Sequence, residues 1–109
     1  MLITTSETIA NYRNVKTLGL VRGNTVRARH VGKDILAGLR NIVGGEIHEY
    51  AKLIAESREQ TLDRMIAEAE QLGATAIIAT RFTTSVMMGG AAELLAVGTA
   101  VVIEPESEE

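Results

Sequence analysis

The groups with the widest chemical reach crowd into "NIVGGEIHEY", Asn41 to Tyr50, where two glycines, two carboxylates, a histidine and a tyrosine are near neighbours. Such a stretch suits a ligand-binding loop, a metal site built from Glu46, His48 and Glu49, or a plain joint between two helices. A metal site needs ligands that converge, and zinc-binding helices achieve this with ligands four residues apart on one face. On a wheel of about 100° per residue with Ile47 at the origin, Glu46, His48 and Glu49 fall near roughly 260°, 100° and 200°. They diverge, so a metal centre here has to be completed from elsewhere: His30, Met87, Met88 or another chain. Soft-metal chemistry finds little else to use, since the chain has no cysteine and only four methionines. The simpler role for Glu46 is to open a helix, where a first-turn carboxylate complements the dipole and accepts orphan N–H groups. Gly44 and Gly45 then end the helix before it.

Arg58 is the second residue of interest. On the same wheel it falls at about 20°, among Ile54, Leu62 and Met65, inside the apolar stripe. A buried guanidinium must be paired, because leaving it bare would cost several kcal/mol, on the order of the penalties for lone buried charges. Glu93, and Glu46 of another copy, are the partners the sequence offers. Arg58, Glu46, Glu93, Gly44 and Gly45 are therefore expected to be structural or interface residues, with anion binding by Arg58 as the alternative.

Other chemistry-bearing boxes are missing. Gly32-Lys33 lacks the glycine five residues before Gly32 that a phosphate loop requires, Arg27 standing there, and Asp34 replaces the Ser or Thr. No GxSxG elbow exists, and no nucleophile–base pair can be named. A non-enzymatic role is the expectation. The net charge of −3 comes from the end of the chain, where four glutamates lie in the last six residues; without them 10 acids face 11 bases. A near-neutral body with three aromatics offers neither a basic stripe nor a stacking platform, which argues against nucleic acid. The start "MLITTSETIA" carries no signal-peptide pattern, and the apolar run Ala91 to Ile103 is too short to span a bilayer. The expected location is cytoplasmic.

As for the elements that must position these groups, 109 residues make one domain, expected over 1–103 with an acidic disordered tail over 104–109. Leu2-Ile3 suggests a short edge strand. Val15 to Val31 alternates and is rich in Val, Thr and Leu, predicting β structure in which Arg22-Gly23-Asn24 is either a hairpin turn or, the favoured reading, a bend within one long strand. Helical spacing predicts one helix over Lys33–Val43 and a longer one over about Glu46–Leu72, stopped by Gly73. Two strands follow, Ala74–Met87 and Glu93–Ile103, around a turn at Met88–Ala91. The order β-α-α-β-β predicts an α+β fold, a small antiparallel sheet with helices on one face. So few large anchors make association with further copies an economical way to bury apolar area.

Taken together, "VGGEIHEY", "ESREQTLDRMIAEAEQLGATAIIATRF" and "GTAVVI" resemble the YbjQ-like family, whose label is heavy-metal binding and whose function is unknown. The likeness covers roughly Ile3 to Ile103. It implies a dodecin-like subunit in a ring-shaped pentamer, which can stack to a decamer. It places the family's glycine pair at Gly44 and Gly45, its acidic helix start at Glu46, its helix arginine at Arg58 and its Gly-Thr-Ala at Gly98-Thr99-Ala100. The tyrosine common before that triplet is Val97 here. The expected protein is a homo-oligomer with small-ligand or ion sites between subunits; the alternative binds a heavy or divalent metal through His48, Glu46 and Glu49 completed by a neighbour. The sequence identifies no cofactor.

Overall fold

Alternation decides the longest strand. Val21, Gly23 and Thr25 are buried while Leu20, Arg22, Asn24 and Val26 are exposed, the period of a sheet with one covered face. The computed structural model describes residues 1–27, 45–86 and 92–106, with Arg27, residues 45–51, Leu53 and Val86 described by backbone alone. The elements are β1 (Leu2–Ile3), β2 (Tyr12–Arg27), α1 (Gly45–Gln71), β3 (Ala76–Val86) and β4 (Ala92–Pro105). The expected helix over Lys33–Val43, Gly44, His30 and the turn at Met87 to Ala91 lie outside the described residues.

The sheet order is β1-β3-β4-β2. β2 and β3 both run antiparallel to β4. The short edge strand β1 is parallel to β3, through Leu2–Ala76 and Ile3–Ile77, so the sheet is mixed rather than purely antiparallel. Arg22, Gly23 and Asn24 stay within one strand, and Gly23 keeps register with Ala96. The register shifts fall earlier, between Asn14 and Lys16 and between Thr17 and Gly19, where Gly19 has φ +124°. Asn14 holds the first shift by accepting the Lys16 N–H on Oδ1 at 3.0 Å. Gly23 serves a different need: a Cβ there would come within 2.5 Å of the Met65 nitrogen and closer to the Thr61 carbonyl, so only glycine lets the helix backbone approach.

β4 continues to Pro105, two residues beyond the predicted end at Ile103. Arg13 pairs with Glu104 at 3.0 Å, and the Glu106 N–H donates to the Asn11 carbonyl at 2.9 Å. The first tail glutamates are thus tied to the start of β2. α1 ends as predicted around Gly73: its N–H reaches the Glu70 carbonyl at 3.0 Å, and its φ of +86° turns the chain so that the Ala74 N–H reaches the Ala69 carbonyl. One face of α1 covers β2 and β4. The core there is Val21, Met65, Ala69, Ile77, Ala96 and Ala100, all of them fully buried.

Candidate functional site

The face that α1 buries determines which of its polar groups remain available. Ser57, Thr61, Met65 and Ala69 are buried, and each lies four residues from the next. A four-residue step turns about 40° on an ideal wheel, so this line drifts around the helix. At the level of Met65 it coincides with the stripe read from the sequence. About two turns earlier it has moved to Ser57, and Arg58 is exposed. The buried position next to Arg58 is filled by a small hydroxyl residue whose neighbours form a polar seam: Thr61 Oγ1 donates to the Ser57 carbonyl at 2.8 Å, and Thr25 Oγ1 lies 2.8 Å from Thr61 Oγ1. With Gly23 below, these small residues draw α1 close to β2.

Along the outer edge of β2, side chains of α1 stand in for a neighbouring strand. Glu68 Oε1 accepts the Arg22 backbone N–H at 2.9 Å, and Arg64 Nη1 donates to the Asn24 carbonyl at 2.6 Å. Both backbone groups point away from β4, as alternate residues of an edge strand must. Covering such an edge blocks pairing with stray chains. Across the strand, Asn24 Nδ2 donates to Glu93 Oε2 at 3.0 Å. These contacts frame a pocket of about 480 Å³ lined by Arg22, Gly23, Asn24, Arg64, Glu68, Glu93 and Leu95. Glu93 therefore belongs to this pocket, its carboxylate bonded to Asn24.

A second opening, also about 480 Å³, lies between α1 and β3 and is mostly apolar. Ala55, Leu62 and Phe82 line it, with Lys52, Glu56, Arg58 and Glu59 around them. Phe82 is 46 % exposed. Arg58 is here, at the rim of a cleft, in company with charges that the wheel puts on the far side of the helix.

A third unusual place is the bulge in β3. Ile78 faces Thr99 and Arg81 faces Val97, leaving Ala79 and Thr80 opposite Gly98 alone. Ala79 has φ +52°, a conformation uncommon outside glycine, Asn and Asp. A Cβ on Gly98 would lie 2.6 Å from Ile77 Cγ2, so the glycine makes room for the bulge. The N-terminal segment holds it from outside: Ala79 N–H donates to the Ser6 carbonyl, Thr80 N–H to Thr4, and Arg81 Nη1 to Thr5 at 2.8 Å. The hydroxyl of Thr80, 3 % exposed, has no hydrogen-bond partner among the described residues.

Glu46, His48 and Glu49 fall in the first turns of α1, and their side chains lie outside what the structure describes. Among the described residues no three His, Asp, Glu or Cys side chains gather as metal ligands would. Sequence reasoning missed Arg22, Asn24, Arg64 and Glu68. The available signal was Arg64 and Glu68 four apart on α1, but which strand they reach depends on register.

A model of the YbjQ family, described as "Putative heavy-metal-binding", matches residues 1–104. A UPF0145 protein of Archaeoglobus fulgidus is 60 % identical over 101 residues, covering 93 % of this chain and 94 % of that one. One from Dehalococcoides mccartyi strain 195 is 55 % identical over 104 residues, 95 % of this chain and 100 % of its own. A relative from Thermus thermophilus is 49 % identical over 108 residues, 99 % and 95 % respectively. A crystal structure of a DUF74 family protein of unknown function from Pediococcus pentosaceus superposes with a TM-score of 0.63 at 18 % identity, covering 95 % of this chain and 98 % of that chain, a likeness of fold. The chain belongs to the YbjQ (UPF0145) family.

Proposed function

We propose that this member of the YbjQ family works as a non-enzymatic, cytosolic homo-oligomer, a pentameric ring able to stack to a decamer, with small-ligand or ion sites between subunits. The observation that carries this reading is the cleft between α1 and β3, which no described residue fills. A folded monomer gains little from leaving Phe82 half exposed beside Leu62 and Ala55, whereas a neighbouring chain seated there would remove that area from water at about 25 cal/mol per Å². Leu20, 64 % exposed, and Val26, 50 % exposed, add apolar area on the opposite sheet face. Arg58, at the rim of the cleft, is then placed to meet an acidic group of the neighbour. Native mass spectrometry of untagged protein tests the reading. A pentamer or decamer is expected, and a stable monomer at micromolar concentration would refute it.

The family description favours a second reading, in which Glu46, His48 and Glu49 bind a divalent or heavy metal with ligands from a neighbouring chain. Metal analysis of untagged protein separates the two. Stoichiometric metal that survives mild chelation and is lost on His48→Ala supports the second; traces removed by chelation support the first.

A further inference from the structure

The polar pocket at the edge of β2 holds four charged side chains, Arg22, Arg64, Glu68 and Glu93. Three of them are held by neutral groups: Arg64 by the Asn24 carbonyl, Glu68 by the Arg22 N–H and Glu93 by the Asn24 amide. Among the described residues the four make no ion pair with one another; the pair that is formed, Arg13–Glu104, lies near the far end of the sheet. These three charges are thus aimed without being neutralised. A carboxylate has two oxygens and a guanidinium five N–H groups, so each keeps free hydrogen-bonding capacity.

Their arrangement alternates. Arg22 faces Val97 across the ladder and Glu93 faces Val26, so the two lie at opposite ends of the pocket floor with Asn24 and Leu95 between. On the helix side the order is reversed: Glu68 sits by Arg22, and Arg64 by Asn24. Two cations and two anions on crossed diagonals repel a simple anion or cation as much as they attract it. A molecule carrying both charges can turn its anionic end to the cation at one end of the pocket floor and its cationic end to the anion at the other. The volume, about 480 Å³, lies within the range of small-molecule sites, roughly 300–1,000 Å³.

We propose that this pocket is a binding site for a small zwitterion bearing one carboxylate and one ammonium group, of the size of a free amino acid. Its carboxylate faces Arg22 and its ammonium faces Glu93 at the two ends of the pocket floor, and its carbon skeleton rests on Leu95 between them. The site is built within a single subunit and does not depend on how subunits assemble.

The test is calorimetric titration of the untagged protein, in whatever assembly it forms, with the proteinogenic amino acids one at a time. At least one is expected to bind saturably. Its N-acetyl derivative, lacking the ammonium, and its carboxamide, lacking the carboxylate, should each bind at least about tenfold more weakly, the size of a lost charge-assisted hydrogen bond. Arg22→Ser and Glu93→Gln should each weaken it to the same degree, while Arg22→Lys restores part. Arg13→Ser, outside the pocket, should leave binding unchanged. Arg22 is exposed and contributes its backbone, not its side chain, to the fold; Glu93→Gln keeps an oxygen for Asn24, so both variants should retain the parent's melting transition. The proposal is overturned if no amino acid binds at millimolar concentration, if the capped derivatives bind equally well, or if binding ignores both variants.

Discussion

The two sides of α1 differ sharply. Toward β2 the helix is pulled into backbone contact by Gly23, Ser57 and Thr61, and the Thr25 and Thr61 hydroxyls of the seam are bonded. Toward β3 it stands away, leaving a cleft floored by Phe82. The difference separates what the subunit needs to fold from what it holds in reserve. Close approach through small residues fixes the helix on one half of the sheet. The other half leaves apolar surface that no described residue covers, and under the ring proposal a neighbouring chain covers it.

The comparison breaks most easily at Gly23. Gly23→Ala places a methyl against helix backbone that no rotamer change can move, and should cost about 3 kcal/mol or more, at or beyond the upper end for overpacking. Urea unfolding followed by circular dichroism measures it; a loss below about 1 kcal/mol, well under that range, would mean the helix sits more loosely than described. Thr25→Val removes one hydroxyl from the seam but leaves Thr61 bonded to Ser57. About 1 kcal/mol is expected, a fall of roughly 4–8 °C in Tm for a domain of this size. On the β3 side, Thr80→Val replaces a buried hydroxyl that lacks a partner among the described residues, and should stabilise by up to about 1 kcal/mol. A lower Tm for that variant would show that the hydroxyl has a role in the native state. The smallest effect on folding belongs to Arg58→Leu, within about 0.5 kcal/mol for an exposed site. Under the ring proposal the same variant should shift native mass toward smaller species, and an unchanged mass and melting curve would remove Arg58 from the interface.

What is legible in the sequence follows local period. The alternation around Val21, Gly23 and Thr25, the stripe through Met65 and Ala69, the stop at Gly73 and the edge strand at Leu2-Ile3 all depend on near neighbours, and all are present. Arg58 reads as buried only because a fixed wheel assumes a straight stripe, whereas the contact line follows rows of every fourth residue and has turned away by Ser57. Gly23 does stay inside one strand, but the glycine's reason, the approach of α1, is a tertiary fact. Likewise the pocket joins Arg22, Arg64, Glu68 and Glu93 from three elements, and no local pattern gives the register that brings them together. The parallel pairing of β1 with β3 is hidden for the same reason.

The ladder between β2 and β4 has a temporal consequence. It runs from Tyr12–Pro105 to Arg27–Ala92, joining the first long strand to the last. During synthesis β2 emerges early, yet its partner is made only after α1 and β3. α1 can form in the meantime, and Arg64 and Glu68 can reach only one side of β2. The other side waits. Contacts of such long sequence separation slow the search for the native state, and they place this chain nearer the millisecond-to-second folding of sheet proteins than the microseconds of helical bundles. The window in which a half-paired β2 can meet the wrong strand closes only when β4 arrives.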